Sequence, residues 1–305
     1  MKIAGVSMTY NDGFKLKEWT EHYQTYKNQL GIFVIVDNGS EAQYRRELRE
    51  AFPDAVIIQR ETNGGCTAAY NDGIRYVLEK TDAEAIAIIG NDIKVTPGCL
   101  PAMYDYLMGD DQLGIVSAAM LGIDSNIIDN YGHKVHNFNI TYEDHGKAIE
   151  GITPKQKYTD LVSGGFTMAK REFYVKAGLQ DEALFMYCDE LDTMLKAQKN
   201  GYKIGVIGNE YVWHWHINDP KRNGRSSASR YLICRNRVYL AKKYLSKLGY
   251  TKILLKCLIY VPAIYVVNVI RRRDILSLQD AQYSFIGAIH GAQGKMYQNK
   301  YTEFN

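Results

Sequence analysis

A chain of 305 residues, 46% hydrophobic and 23% charged, can bury a large core and lies outside the composition of disordered proteins. Its formal net charge of +3 does not mark a nucleic-acid binder and leaves an anionic small substrate open. Five cysteines (Cys66, Cys99, Cys188, Cys234 and Cys257) include no CxxC pair, which argues against a zinc framework or a disulfide scaffold and fits a reducing compartment.

The first run, MKIAGVSMTYND, turns polar too soon for a signal peptide and reads as a strand over 3–8. Further β-rich apolar runs at 32–36, 55–58 and 85–89 alternate with helical patterns, which predicts an α/β fold with a parallel sheet and crossover helices. Ser40 and Gln43 have the spacing of a capping box, and Ala68, Ala69, Ile74, Val77 and Leu78 supply one apolar helix face. Between 122 and about 160 the pattern loosens into hairpins or an irregular insertion. Order returns with a strand at 166–169, a short helix at 171–177, a helix at 189–200 stopped by Gly201, and a strand at 203–207. Most of the 24 tyrosines are expected to fill the core and interfaces. The apolar stretch 253–270 contains Lys256, Pro262 and Asn268 and is followed by Arg271, Arg272 and Arg273. It is expected as a helical tail over 251–305, appended to a domain of 1–250. The tail is expected to lie on a membrane surface with its arginines at anionic lipid, or to pack on the main domain or on a second subunit, in preference to a true membrane span, which would need about 20 uninterrupted apolar residues.

In an open α/β sheet, ligands collect beyond the carboxyl ends of the strands, and here those ends are polar. The first strand runs into Thr9, Tyr10 and Asn11, the second into Asp37, and the fourth into Asn91 and Asp92, with no GxGxxG after the first. Asp37 can accept from a base N–H or a ribose hydroxyl, or can simply form the turn DNGS. Asn63, Gly64 and Gly65 before a helix offer N–H groups to a diphosphate. Asp92, at a strand end and followed by Pro97 and Gly98, suits a hard divalent cation. Asp189, Glu190 and Asp192 crowd a helix start, either as capping acids or as a general base whose neighbour raises its pKa. In WHWH, His214 and His216 share one face of a strand and Trp213 and Trp215 the other, so the histidines are metal ligands or structural. Arg222, Arg225, Ser226, Ser227, Arg230, Arg235 and Arg237 form a phosphate clamp or a solvated basic helix face.

Taken in order, VSMTYN, VIVDNGS, TNGGCTAAYNDGI, IIGNDIKVTPG, SGGFTMAKREFYVKAGLQDEALFMYCDELDTMLKAQKNGY, VWHWH and RSSASRYLICRNR resemble the inverting family 2 glycosyltransferases of GT-A fold. The similarity is greatest to their rhamnosyltransferase-like branch of bacterial polysaccharide synthesis and covers about residues 1–245. The resemblance implies a Rossmann-like nucleotide-diphospho-sugar transferase sheet, a dTDP- or UDP-sugar donor, a glycan or lipid-linked glycan acceptor, and Mg²⁺ or Mn²⁺. Thr9, Tyr10, Asn11 and Asp37 would line the base and ribose pocket, with Asn63, Gly64, Asn71 and Asn91 near the diphosphate or sugar. Arg225, Ser226 and Ser227 would close over the diphosphate, Ser163, Gly164 and Gly165 would form the acceptor wall, and Asp92 with His214 or His216 would hold the metal. Asp189 and Glu190 occupy the place of the family's Glu-Asp pair, whose second member is the base. Two departures stand out: Gly90 replaces the first acid of the usual DxD, and Glu190 stands where Asp is usual, so Glu190 with its longer reach is favoured as base over Asp189. The implied partners exclude nucleic acid and include a peripheral contact with the cytoplasmic face of the membrane and a homodimer. A nucleotidyltransferase, or a catalytically degenerate nucleotide-sugar or glycan binder, is the alternative.

Overall fold

In the computed structural model, which describes residues 2–215, 227–272 and 276–302, the isoleucine- and valine-rich runs become strands of one ten-stranded sheet. The first half of the chain alternates β1 (Ile3–Thr9), α1 (Leu16–Tyr26), β2 (Ile32–Asp37), α2 (Ala42–Ala51), β3 (Val56–Gln59), α3 (Gly65–Lys80), β4 (Ala85–Ile89), β5 (Ile93–Val95), α4 (Cys99–Met108) and β6 (Leu113–Leu121). An insertion follows, with β7 (Ile128–Asn130), the hairpin of β8 (His133–His136) and β9 (Asn139–Tyr142), and β10 (Gln156–Thr159). Then come β11 (Phe166–Lys170), α5 (Arg171–Ala177), α6 (Asp189–Lys199), β12 (Lys203–His214), α7 (Ala228–Tyr244), α8 (Lys247–Leu255), α9 (Val261–Arg272) and α10 (Leu276–Gln293).

The strand order is β10-β12-β6-β11-β4-β1-β2-β3, with β5 on β12 and β7 on β6. Strands β1 to β4 pair in parallel, as right-handed crossovers through α1, α2 and α3 require. The parallel pairing expected of the first part of the chain is thus present but does not extend to the whole sheet, which is mixed: β11 runs antiparallel to both β4 and β6. Strand β12 breaks register between Ile207 and Tyr211, so residues 208–210 stand out of the ladder with β6. The capping box does not form either. Helix α2 starts after Glu41 without a side-chain cap, because the Ser40 hydroxyl accepts from the Asn11 N–H at 2.9 Å instead.

Under the sheet, aromatic side chains fill the core as expected of the tyrosines. Tyr23 stacks on Phe33 with centroids 4.8 Å apart, and Trp19 meets Phe52 at 4.4 Å. On α3, Ala68, Ala69, Ile74 and Val77 are buried, and Gly73 lies so close to Val6 of β1 that no side chain fits between helix and strand.

The chain divides into two compact units, Met1–Gln180 with Thr193–Asn218, and Asp181–Asp192 with Asp219–Asn305. Helix α7 therefore belongs with the tail, upstream of the boundary at 250 expected from sequence. The second unit is organised by α7 lying along α10. Gly287 and Gly291 face the backbone of Tyr231 and Arg235 so closely that a Cβ at either would overlap a carbonyl oxygen. Ser227 donates to Asp280 at 2.8 Å, and the Tyr231 hydroxyl bonds to His290 at 2.8 Å. Arg235, read from sequence as part of a basic run, is fully buried and donates to the carbonyls of Leu184 (2.8 Å) and Met296 (3.2 Å). Helices α8 and α9, joined by a π turn, form a 25-residue run, Lys247–Arg271, long and apolar enough by length and composition to cross a membrane. Only 11% of its most apolar stretch is buried, and Leu255, Ile259, Tyr260, Ile264, Val267 and Ile270 are exposed.

Replacing Gly291 with leucine should part α7 from α10 and cost about 3 kcal/mol through overpacking. Thermal unfolding followed by circular dichroism reads this directly, and a variant melting with the wild type would show that the two helices do not depend on that contact.

Candidate active site

Asp92 is the last residue of the turn between β4 and β5, and the pairing of β5 with β12 lays the end of β12 beside it. That ladder sets His214 opposite Ile93, and the Trp215 N–H donates to the Asp92 carbonyl at 2.7 Å, so the end of β12 is laid against the Asp92 turn. The His214 Nε2 lies 3.7 Å from Asp92 Oδ1. On the other side, the Lys15 ammonium donates to Asp92 Oδ2 at 3.2 Å and to Asn91 Oδ1 at 3.2 Å, while the Asn91 amide donates to Asp12 Oδ2 at 2.8 Å. Burial pushes the Asp92 carboxyl up, but the imidazole and the ammonium outweigh it and hold it down at about 2. Asp92 is thus an anion at any ordinary pH. Gly90 explains the missing first acid: a Cβ there would stand 3.1 Å from Asp92 Oδ1 and 3.2 Å from the Gly165 carbonyl, which already accepts from Gly90 N–H at 2.8 Å.

The ends of β1 and β2 form a second polar group. Thr9 and Tyr44 share a hydrogen bond through their hydroxyls, and burial raises the Tyr44 phenol above its ordinary pKa despite that bond. Asn11 takes a left-handed backbone (φ 53°), and its side chain accepts from the Glu41 N–H at 2.9 Å. Asp37 is 1% exposed; it accepts from the Ser40 N–H at 3.1 Å and pairs with Arg45 at 3.1 Å. Tyr10 is exposed beside them. Asn38 ties this group to the start of α3, accepting from Gly64 N–H (3.1 Å) and donating to Asn63 (2.9 Å), which in turn accepts from Gly65 N–H (2.9 Å). Asn71, buried on α3, holds both backbone groups of Gln180 at 2.9 and 3.0 Å. Ser163, Gly164 and Gly165 are half-buried in the turn before β11, with open space around Gly165. Where β12 leaves its ladder, a cleft of 570 Å³ opens, lined by Tyr211, Trp213, Asp124, Asn126, Asn209 and Glu150 among others.

In the second unit, Asp189 and Glu190 open α6 directly after a contorted loop. Phe185, Tyr187 and Cys188 all have left-handed backbones (φ 66°, 66° and 63°), a costly conformation for side chains of their size. Asn236 of α7 holds that loop in place, its side-chain amide donating to the carbonyls of Leu184 (2.9 Å), Met186 (2.9 Å) and Tyr187 (2.8 Å). Burial first, and then the neighbouring charge of Glu190, raise Asp189 well above the usual carboxylate range, and the two side chains share a hydrogen bond. Glu190 is only half-buried. Asp192 is structural, accepting from Asp181 N–H (3.1 Å) and the Tyr244 hydroxyl (2.9 Å). Ser227, expected to close over a diphosphate, spends its hydroxyl on Asp280. His216, Arg225 and Ser226 lie outside the described residues. Among those described, no three His, Cys, Asp or Glu side chains gather as a metal cluster, so Asp92 and His214 stand as a pair. Sequence reasoning missed Lys15 and Asp12, whose only signal was a charged turn, NDGFK, just after the first polar strand end.

The model of glycosyl transferase family 2 matches residues 22–176, just over half of the chain. The chain belongs to glycosyl transferase family 2. Across its length this glycosyltransferase is 23% identical over 292 residues to the low-salt glycan biosynthesis hexosyltransferase Agl10 of Haloferax volcanii, covering 92% of this chain and 89% of Agl10. In fold it is similar to the crystal structure of GalNAc-T7 with UDP, GalNAc and Mn²⁺ (TM-score 0.61, 13% identity), covering 95% of this chain but only 55% of that one. It is also similar to the mannosyltransferase PcManGT of Pyrobaculum calidifontis in complex with GDP-Man and Mn²⁺ (TM-score 0.57, 14% identity), covering 96% and 88% of the two chains. The α/β sheet with flanking helices is the GT-A fold of these neighbours.

Asn236→Ala should release the strained loop ahead of Asp189, cost about 3 kcal/mol in lost and unsatisfied hydrogen bonds, and abolish sugar transfer. Urea denaturation and a transfer assay check both effects, and wild-type stability in the variant would mean the loop holds itself.

Proposed function

We propose that this glycosyltransferase is an inverting, metal-assisted enzyme. It moves rhamnose or another hexose from a dTDP- or UDP-sugar to a hydroxyl of a glycan or lipid-linked glycan in surface polysaccharide synthesis. What chiefly supports this is the Asp92 centre, a carboxylate held anionic at the carboxyl edge of the sheet and facing an imidazole at 3.7 Å. An oxygen and an imidazole nitrogen at that separation fit two neighbouring positions on one hard or borderline cation, the remainder being left to donor phosphate oxygens and water. Asp92 and His214 would hold Mg²⁺ or Mn²⁺, which when bound supplies positive charge to the departing diphosphate.

The protein's own groups do the rest. Glu190 accepts the proton of the acceptor hydroxyl as that oxygen bonds to the anomeric carbon, and the bond from this carbon to the diphosphate oxygen breaks with its electron pair leaving on the nucleotide. Attack opposite the leaving group inverts the configuration. Asp189, raised by burial and by Glu190, is the member of the pair that favours its protonated form, and it steadies Glu190 through their hydrogen bond. Asp37 and Asn11, with Thr9 and Tyr10, form the floor for base and ribose, and Asn63 and Gly64 at the start of α3 border the diphosphate. Arg225 and Ser226 supply charge and a hydroxyl to the diphosphate, and residues 163–165 border the acceptor. The cleft beside Tyr211 and Trp213 combines aromatic faces with amide and carboxylate groups, a lining suited to further sugars of a glycan. The exposed apolar residues of Lys247–Arg271 seat the enzyme on the cytoplasmic face of the membrane, where a lipid-linked acceptor is found.

Loss of the base should cut turnover by roughly 10²- to 10⁴-fold in Glu190→Gln, whereas Asp189→Asn, which keeps a neutral hydrogen-bonding side chain beside Glu190, should retain most activity. Asp92→Ala should abolish metal-stimulated transfer or donor hydrolysis in a screen of dTDP-rhamnose and UDP-sugars with and without Mn²⁺. Full activity of Glu190→Gln or Asp92→Ala would remove that residue from the mechanism, and donor binding without turnover across acceptors would identify a degenerate binder. Separately, the protein should co-sediment with vesicles containing phosphatidylglycerol and lose this on Ile264→Asp; equal recovery in the supernatant with and without vesicles would rule out the membrane seat.

A further inference from the structure

Lys15 is the residue of the Asp92 centre to which the proposed chemistry assigns nothing. Its position is fixed by local structure. β1 ends at Thr9, the chain turns through a short 3₁₀ segment, Gly13–Lys15, closed by the Lys15 N–H on the Asp12 carbonyl at 2.8 Å, and α1 begins at Leu16. This turn folds the lysine back across the sheet edge toward the end of β4. Its side chain is 13% exposed, and the ammonium meets three side-chain oxygens: Asn91 Oδ1 at 3.2 Å, Asp92 Oδ2 at 3.2 Å and Asp12 Oδ1 at 3.9 Å. The Asn91 amide bonds to the other Asp12 oxygen, so the ring of acceptors is itself cross-linked.

Three hard oxygens, two of them carboxylates, are the donor set a divalent cation selects, yet here they surround an ammonium. A lysine so placed already neutralises Asp92, and a divalent ion on the same carboxylate would lie a few ångströms from a like charge in a half-buried setting, where repulsion is poorly screened. The ammonium stands at the end of a flexible four-carbon stem, which lets it leave if a stronger anion arrives. A nucleoside diphosphate is such an anion, and it lands on this edge of the sheet in the reading of the preceding section, on which this step rests.

We propose that Lys15 is the resident counter-ion of the Asp92 centre, which yields Asp92 to a divalent ion only when its ammonium moves to the donor's diphosphate. Ion and donor then bind as a linked pair, each raising the affinity of the other, and the ion alone binds weakly. Lys15 guards an empty donor site against free metal and afterwards contributes its charge to the leaving group.

The test is Mn²⁺ binding by the full chain without nucleotide, followed through the electron paramagnetic resonance signal of free Mn²⁺. Lys15→Met should bind Mn²⁺ about tenfold or more tightly than wild type, Lys15→Arg should bind as weakly as wild type, and Lys15→Met combined with Asp92→Asn should lose the gain. Lys15→Gln, which keeps an N–H donor for Asn91 and Asp92 but no charge, gives the same reading if the methionine variant is unstable. Equal Mn²⁺ affinity in wild type and the uncharged variants overturns the role of Lys15 and leaves the metal centre standing. Absence of Mn²⁺ binding in every folded variant overturns both.

Discussion

The three-residue strand β5 and its antiparallel pairing with the end of β12 are what the Asp92 centre depends on. Asp92 lies immediately before β5, and His214 is the last residue of β12, 122 positions later in the chain; only the ladder joining Val95 to Val212 and Ile93 to His214 makes them neighbours. The carboxylate is further fixed from its own backbone, because the Asp92 carbonyl is taken by Trp215 N–H and the preceding Gly90 is bonded to Gly165. The imidazole's part in lowering the Asp92 pKa follows from this placement, and Lys15 adds its share from the turn after β1. A turn held at both backbone groups spends no ordering entropy at the moment a ligand arrives, which is the physical content of a preorganised site.

The second unit handles its acids differently. Around Asp92, opposite charges stabilise an anion; at Asp189, burial and a like charge raise the pKa and favour the neutral acid. Of two neighbouring carboxyl groups in one helix turn, one is buried and the other half-exposed. The loop before them could not hold three left-handed residues by its own preferences, and Asn236 and Arg235 supply the restraint through side-chain donors aimed at its carbonyls. Strain at the entry to α6 is therefore balanced from α7, which explains why an arginine in a run that reads as a basic surface is wholly buried.

How much of this could be read beforehand varied with the range of the interaction. Strands β1 to β4 were legible to within a residue or two because both faces of each are apolar, and the glycines and asparagines at their ends mark the ligand edge. The direction of β11 was not legible, since an isolated run such as FTMAK carries no sign of which way it enters a sheet. The spacing of Ser40 and Gln43 misled because a hydroxyl has several suitors, and the one that won, Asn11 N–H, comes from a different strand end. Arg235 misled because charge in a sequence reads as exposure, whereas four backbone and side-chain oxygens satisfy its guanidinium more fully than a count of arginines reveals. Lys15 was passed over for the same reason of distance: Asn91 and Asp92 lie 76 and 77 residues away, and no local pattern connects them.

The seam between α7 and α10 works as a keyed joint. Gly287 fits over Tyr231 and Gly291 over Arg235, so the two helices advance in step and the notches recur at one-turn intervals on both. Sliding α10 by a turn in one direction would bring Tyr283 onto the backbone of Tyr231; sliding it the other way would carry Lys295, beyond the helix end, to Arg235. Neither offers a second resting place. A helix pair with a single allowed setting transmits a push on one member to the other without slippage, so displacement of α10 by whatever meets the neighbouring apolar helices must be carried by α7 as a rigid partner.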